Sequence, residues 1–120
     1  MNPGDINQQI FDHTLKFAQA VREFGKVIPM TVSNVEDLKQ LVRASGAVGA
    51  RYIAATESPN RNDYLVNIKG CSQETKTTQY WLNLIDTQGE LMLEQRRDQL
   101  IRASHELAAI FSKILQTSRT

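Results

Sequence analysis

The positions of three prolines constrain this chain more than any other feature, because proline does not continue a helix beyond its first turn. Pro3, Pro29 and Pro59 each lie where an apolar repeat of three- and four-residue steps stops or starts. No useful length of sequence alternates polar and apolar residues with the period of two that marks a strand. The pattern therefore predicts four long amphipathic helices. They are expected at about residues 5–24, 34–56, 59–86 and 91–117.

Local end signals support these boundaries. Gly25 predicts the end of the first helix. Ser33 and Glu36 predict a capping box at the start of the second, in which the hydroxyl accepts from an orphan amide and the carboxylate reaches back. Ser58, followed by proline, predicts the start of the third helix. Gly89 predicts the turn before the fourth.

Each predicted helix carries one apolar stripe, and four stripes that face one another make one core. With 120 residues and 13.6 kDa, the chain is expected to form a single domain over residues 1–120. Short connections between long helices favour antiparallel neighbours, so the predicted fold is an all-α, up-down-up-down four-helix bundle. The stripe of the first helix is Ile6, Ile10, Thr14, Phe17, Val21 and Phe24.

Net charge, apolar runs and cysteine content restrict the partners and the cellular location that we expect for the protein. Fourteen Lys and Arg against thirteen Asp and Glu give a net charge of +1, so any basic site must be a local patch. No apolar run is long enough to cross a bilayer, and residues 1–5 lack the features of a signal peptide. A single cysteine, Cys71, cannot form an internal disulfide. We therefore expect a cytoplasmic protein with no membrane partner.

Signals for catalysis are scarce. Neither His13 nor His105 belongs to a pair with metal-ligand spacing, and Cys71 faces the predicted core. No phosphate loop or nucleophile elbow is present. We therefore expect no enzyme activity, no metal and no cofactor.

Three of the predicted helices carry a second apolar or small-residue strip away from the core stripe. Such a strip is typical of a homo-oligomer interface, and the alternative is the core of a wide bundle. The candidate interface residues are Phe11, Leu15, Gly46, Ala47, Ala50, Ala54, Gly70, Thr77 and Trp81.

A row of cations and one aromatic ring lies on the predicted outer side of the third helix, and the second helix adds more cations. Lysines neutralise phosphates and a tyrosine stacks on bases, so the row predicts a nucleic-acid face, with an ordinary solvated helix face as the alternative. The candidate residues are Lys39, Arg43, Arg51, Lys69, Gln73, Lys76 and Tyr80.

The order of several short motifs resembles a known family, the four-helix-bundle proteins encoded within intervening sequences of large-subunit rRNA genes. The resemblance covers roughly residues 33–86 and is carried by residues 40–52 (QLVRASGAVGARY), Glu57-Ser58, Tyr64-Leu65, Glu74 and residues 80–84 (YWLNL). It implies a left-handed bundle that assembles into a ring of five and has a largely uncharacterised role. A related branch, the accessory variability determinant of diversity-generating retroelements, binds nucleic acid alongside a reverse transcriptase.

Three positions depart from the usual family pattern. Arg51 replaces an asparagine, while Ala54 and Thr77 replace acidic residues, which makes this region more basic than is usual in the family. We therefore expect a non-enzymatic homopentamer that binds RNA or DNA through helices two and three. The alternative is a protein-interaction scaffold or accessory subunit that docks an unidentified protein and binds no nucleic acid.

Overall fold

Four α-helices form the chain in the computed structural model, which describes residues 3–118. Within those residues no strand occurs, so the predicted all-α class is confirmed. The predicted domain also includes residues 1–2 and 119–120, which lie outside the described residues. The helices are α1 (Pro3–Gly25), α2 (Val32–Thr56), α3 (Arg61–Leu84) and α4 (Leu91–Thr117).

The helices are arranged as a four-helix bundle in which sequence neighbours are antiparallel. Each helix packs against the one before it, and α4 returns to pack against α1. Near the end of α2, the Tyr52 hydroxyl donates to Asn7 near the start of α1, with 2.8 Å between the oxygens. At the start of α3, Arg61 donates to the carbonyl of Ser118 just beyond α4. Contacts of this kind between one helix start and another helix end confirm the up-down-up-down order.

The start of α2 differs from the predicted capping box. Thr31 is the N-cap, with an extended backbone and a hydroxyl that accepts from the amide of Asn34 at 3.1 Å. Ser33 therefore lies inside the helix, and Glu36 pairs with Lys39 instead of reaching back. Thr31 and Ser33 are both hydroxyl residues near the predicted start of α2, and Thr31 is the one with the extended backbone conformation that an N-cap requires.

The ends of α3 also differ from prediction, which made the helix two residues too long at each end. Asn60 is the N-cap and accepts from the Asp63 amide at 2.9 Å. The predicted cap, Ser58, instead donates to the Ala54 carbonyl at the end of α2. At the other end, Ile85 has ψ 126°, which takes the chain out of the helix.

The predicted turns at Gly25 and Gly89 are correct. Gly25 is the last residue of α1. Gly89 has φ +75°, a left-handed conformation that glycine adopts without steric cost.

The core follows the predicted stripes except at its edge. Ile6 is 45% exposed and the other residues at 4–9 are exposed as well, so the buried stripe of α1 begins at Ile10. The largest fully buried side chains are Tyr52, Phe24, Phe111, Leu41, Ile68, Leu82, Ile85 and Leu107.

Hydroxyl side chains are part of this core and are satisfied locally. Five buried hydroxyls within the helices donate to the backbone carbonyl three or four residues earlier, so these five need no partner on another helix. Among the described residues, no buried side-chain nitrogen or oxygen lacks a hydrogen-bond partner. The hydroxyl residues are Thr14, Ser45, Thr75, Thr78 and Ser104.

Asn34 joins the two loops at one end of the bundle. Its side chain is fully buried, and its amide nitrogen donates to the carbonyls of Pro29 and Asp86, each at 2.8 Å. Its amide oxygen accepts from the backbone N–H of Asp86 at 2.9 Å. One side chain therefore ties the α1–α2 loop to the α3–α4 loop and satisfies three backbone groups.

Replacing this amide should destabilise the whole bundle. We expect Asn34→Asp to lower the free energy of unfolding by about 3 kcal/mol, because a carboxylate brings a charge to this buried position but no N–H donor for the carbonyls of Pro29 and Asp86. Urea denaturation at fixed protein concentration measures the change. Asn83→Asp is the matched control, since Asn83 is exposed and bonds only within its own helix, and we expect a change of about 0.5 kcal/mol or less. Equal changes in the two variants would show that Asn34 does not join the loops.

Candidate nucleic-acid interface and apolar groove

The outer face of α3 brings together the four residues that the sequence singled out on this helix. Lys69, Gln73, Lys76 and Tyr80 follow one another at steps of four, three and four residues, and all four are exposed. Such steps keep side chains on one side of a helix. The row therefore lies along a single line that faces away from the core.

The two lysines of this row have no ion-pair partner among the residues that the structure describes. Among residues 3–118, neither Lys69 nor Lys76 lies within ion-pair distance of a carboxylate. The acidic residues of α3 are Asp63 and Glu74, and both lie about 120° or more around the helix from the two lysines. The charge of both ammonium groups is therefore available to an external anion.

Arg51, on the neighbouring helix α2, contacts α3 beside this row. Its side chain crosses α3 at Gly70, where an added Cβ would lie 3.2 Å from Cδ and 3.4 Å from Nε of the arginine. The glycine was predicted to contact a second subunit, but the structure covers it with Arg51 of the same chain. We call Arg51, Lys69, Gln73, Lys76 and Tyr80 the α3 basic face.

The other two predicted cations are not part of this face. Lys39 lies 3.1 Å from the Glu36 carboxylate, and Arg43 donates to the Gln40 side chain at 2.7 Å. Both are exposed on α2, and their local partners leave them less available than the α3 lysines.

Tyr80 is the aromatic member of the face. Its ring makes a T-shaped contact with Trp81, with ring centroids 5.1 Å apart and an angle of 79° between the planes. Trp81, a predicted interface residue, is half-buried and packs against the core. The tryptophan therefore holds the tyrosine ring while 60% of Tyr80 stays exposed.

An apolar groove lies between α1 and α2, on a different side of the bundle. Four of the predicted interface residues, Phe11, Leu15, Gly46 and Ala50, line a space of about 440 Å³. Sequence reasoning missed Ile53, which is 48% exposed and lies one turn beyond Ala50. We call this surface the α1/α2 groove. The structure thus joins strips that the sequence had placed on two separate helices.

The remaining predicted interface residues lie elsewhere. Ala54 and Thr77 are exposed and Ala47 is half-buried, and none of them lines the groove.

The floor of the groove depends on a close helix contact at Gly49. A Cβ added to this glycine would lie 2.8 Å from the hydroxyl and 3.3 Å from the Cβ of Thr14. Thr14 is buried, and its hydroxyl donates to the Phe11 carbonyl at 2.7 Å, so it has little room to move. At Gly46 the nearest atom would be Arg22 Nη2, at an ordinary contact distance of 3.7 Å.

These two glycines make a matched pair for substitution. Gly49→Ala should lower the free energy of unfolding by about 1–3 kcal/mol through overpacking, whereas Gly46→Ala should raise it by about 0.5–1 kcal/mol by removing a helical glycine. Adding Thr14→Ala to Gly49→Ala should recover part of the loss. Thermal unfolding of the four proteins checks this, and a Gly49→Ala variant as stable as the parent would mean that α1 and α2 are not in close contact there.

Burial keeps the Cys71 thiol and the Tyr52 hydroxyl protonated, so neither is activated as a nucleophile. Burial raises the pKa of the Cys71 thiol to about 12, although Arg51 acts in the opposite direction. Burial also raises the pKa of Tyr52 to about 12. Both groups are therefore protonated at neutral pH, and a thiol is a weak nucleophile in that form. In the part of the chain that the structure describes, no three His, Cys, Asp or Glu side chains are grouped so that they could hold a metal ion.

Fold comparison relates the bundle to a solved protein. The chain is similar to the crystal structure of a protein of unknown function from the S23 ribosomal protein family of Bacteroides thetaiotaomicron VPI-5482, with a TM-score of 0.79. The two share 22% sequence identity over 92% of this chain and 97% of that chain. At this identity the likeness shows a shared fold. Neither a protein-family model nor a curated protein matches the sequence.

None of the helices within residues 3–118 is long and apolar enough to span a membrane.

Proposed function

We propose that the chain is a non-enzymatic, homo-oligomeric bundle protein that binds RNA or DNA through the α3 basic face. The observation that carries the proposal is the single row of cations without carboxylate partners, bordered by an exposed aromatic ring. Lysine and arginine side chains on such a row neutralise phosphates and release counterions, which favours binding of a polyanion at low salt. A net charge of +1 does not oppose this, because Lys69 and Lys76 form a local basic patch whatever the net charge of the chain.

Assembly is proposed to use the α1/α2 groove, with five copies in a ring as the family resemblance implies. Exposed apolar side chains such as Leu15, at 45%, and Ile53, at 48%, favour a protein contact over water. The groove does not include the basic face, so a ring would present several copies of that face. Repetition of a weak site strengthens binding through avidity.

A protein-interaction scaffold or accessory subunit is the second candidate. A second pocket, with a volume of about 430 Å³, favours the scaffold as the function. It is lined by Met30, Val35, Leu38, Lys39 and Val42. Under this proposal, a stoichiometric protein partner should survive nuclease treatment and high salt, and the purified protein should bind no nucleic acid.

Charge reversal on the α3 basic face tests the leading proposal. We expect Lys69→Glu with Lys76→Glu to weaken binding by about tenfold or more and to reduce the slope of log affinity against log salt by about two, because each lysine contacts phosphate. Fluorescence anisotropy with a structured RNA and a single-stranded DNA, at 50 and about 200 mM salt, measures both quantities.

Lys16→Glu with Lys113→Glu is the control for net charge, since both lysines are exposed on other helices. It should retain most of the affinity. Equal weakening in the two double variants would remove the α3 basic face as the site, and the absence of binding at low salt would exclude the nucleic-acid proposal.

A charge in the α1/α2 groove tests the assembly. Ala50→Glu should shift the native mass from about five copies of 13.6 kDa toward one, because a charge desolvated at a helix contact costs several kcal/mol. Light scattering after gel filtration measures the mass, and circular dichroism checks that helicity is retained. Ala54→Glu, on the same helix but outside the groove, should leave the mass unchanged. An Ala50→Glu variant with the parent's mass would show that the groove is not the interface.

A further inference from the structure

We infer that the α3 basic face takes a single strand of RNA or DNA, with an unpaired base stacked on Tyr80. This inference rests on the proposed nucleic-acid binding and specifies the form of its ligand. RNA and DNA strands share the two features that the face recognises, a phosphate backbone and exposed base faces.

The ring of Tyr80 is oriented by a contact with its neighbour in the sequence. Its T-shaped contact with Trp81, at 5.1 Å and 79°, fixes the ring on the helix surface. Trp81 is itself anchored, because it packs against the core. A ring that is held in place and 60% exposed binds a flat partner with little loss of side-chain entropy.

Stacking on this ring requires a base that is not paired within a duplex. Bases inside a duplex are stacked on one another, and their faces are covered except at the ends. An unpaired base has an open face that an aromatic side chain can cover, whatever its sequence. An exposed, anchored tyrosine therefore favours a single strand.

The charge of the face also matches one backbone better than two. Lys69 and Lys76 lie seven residues apart on a single line, or about 10 Å along the helix, and Lys76 lies one turn before Tyr80. A phosphate bound at Lys76 would therefore be close to the base stacked on Tyr80. A duplex presents two phosphate backbones, and a single row of cations on one helix follows one of them.

The intrinsic fluorescence of the protein reports directly on this contact. Trp81 is the one tryptophan in the sequence and touches the Tyr80 ring. A base that stacks on Tyr80 should change the Trp81 emission, whereas a strand held by the lysines alone should leave it nearly constant.

The test compares unlabelled 12-nucleotide strands of mixed sequence, as RNA and as DNA, with the same strands annealed to their complements. Parent protein, Tyr80→Leu and Tyr80→Phe are titrated by Trp81 emission, and affinities are measured by competition against a labelled strand. Tyr80→Phe keeps the aromatic face, whereas Tyr80→Leu keeps an apolar side chain of similar exposure without a ring. We expect the parent to bind single strands more tightly than duplexes, Tyr80→Leu to lose roughly 5- to 100-fold in affinity for single strands, and Tyr80→Phe to bind like the parent.

The outcomes separate this inference from the proposed function. If Tyr80→Leu binds like the parent, or if duplexes bind as tightly as single strands, the inference is overturned, although Lys69→Glu with Lys76→Glu could still abolish binding. Tighter binding of single strands than of duplexes, with a loss of affinity in Tyr80→Leu and none in Tyr80→Phe, supports the inference, and a preference for RNA or DNA then shows which strand the face favours. Absence of binding to every strand would overturn the proposed function and this inference together.

Discussion

Both candidate surfaces depend on how closely α2 approaches its two neighbours. Towards α1, Gly49 has no side chain and so leaves room for Thr14. This close contact forms the floor of the α1/α2 groove. Towards α3, the missing side chain of Gly70 makes room for the Arg51 side chain, which lies against α3 beside the residue that follows Lys69. Glycine inside a helix costs about 1 kcal/mol relative to alanine. Here each glycine makes room for a side chain of another helix, so the cost is offset by packing.

Apolar packing holds the middle of the bundle together, whereas polar contacts join the helices at their ends. Asn34 joins two loops at one end, and the pair formed by Tyr52 and Asn7 joins α1 to α2 near the other. Hydroxyl groups in the core bond within their own helices and do not cross-link the bundle. The relative position of the helices is therefore set by packing along their length and by directional hydrogen bonds at the ends.

Periodicity predicted the helices well, because each stripe is a local property of the sequence. It could not predict where the core ends, so Ile6 was placed inside although it is 45% exposed and its neighbours in the first turns of α1 are exposed too. The N-cap of α2 was predicted two residues too late, because Thr31 and Ser33 have similar chemistry and backbone geometry decides between them. The contact between Arg51 and Gly70 joins two helices, and no spacing within one helix contains it. The same limit explains why Ile53 was missed.

The two surfaces are compatible with each other because they share no residue, although Arg51 and the α2 side of the groove lie on the same helix. A copy bound in the groove would cover parts of α1 and α2, while Lys69, Lys76 and Tyr80 lie on the outer side of α3. Assembly through the groove would therefore leave the basic face accessible on every copy. A single row of two lysines and one arginine binds few phosphates, so one copy alone would hold a strand weakly at physiological salt. Several rows on one assembly would hold the same strand at several points, and the effective concentration of each row would then depend on the spacing that the groove imposes.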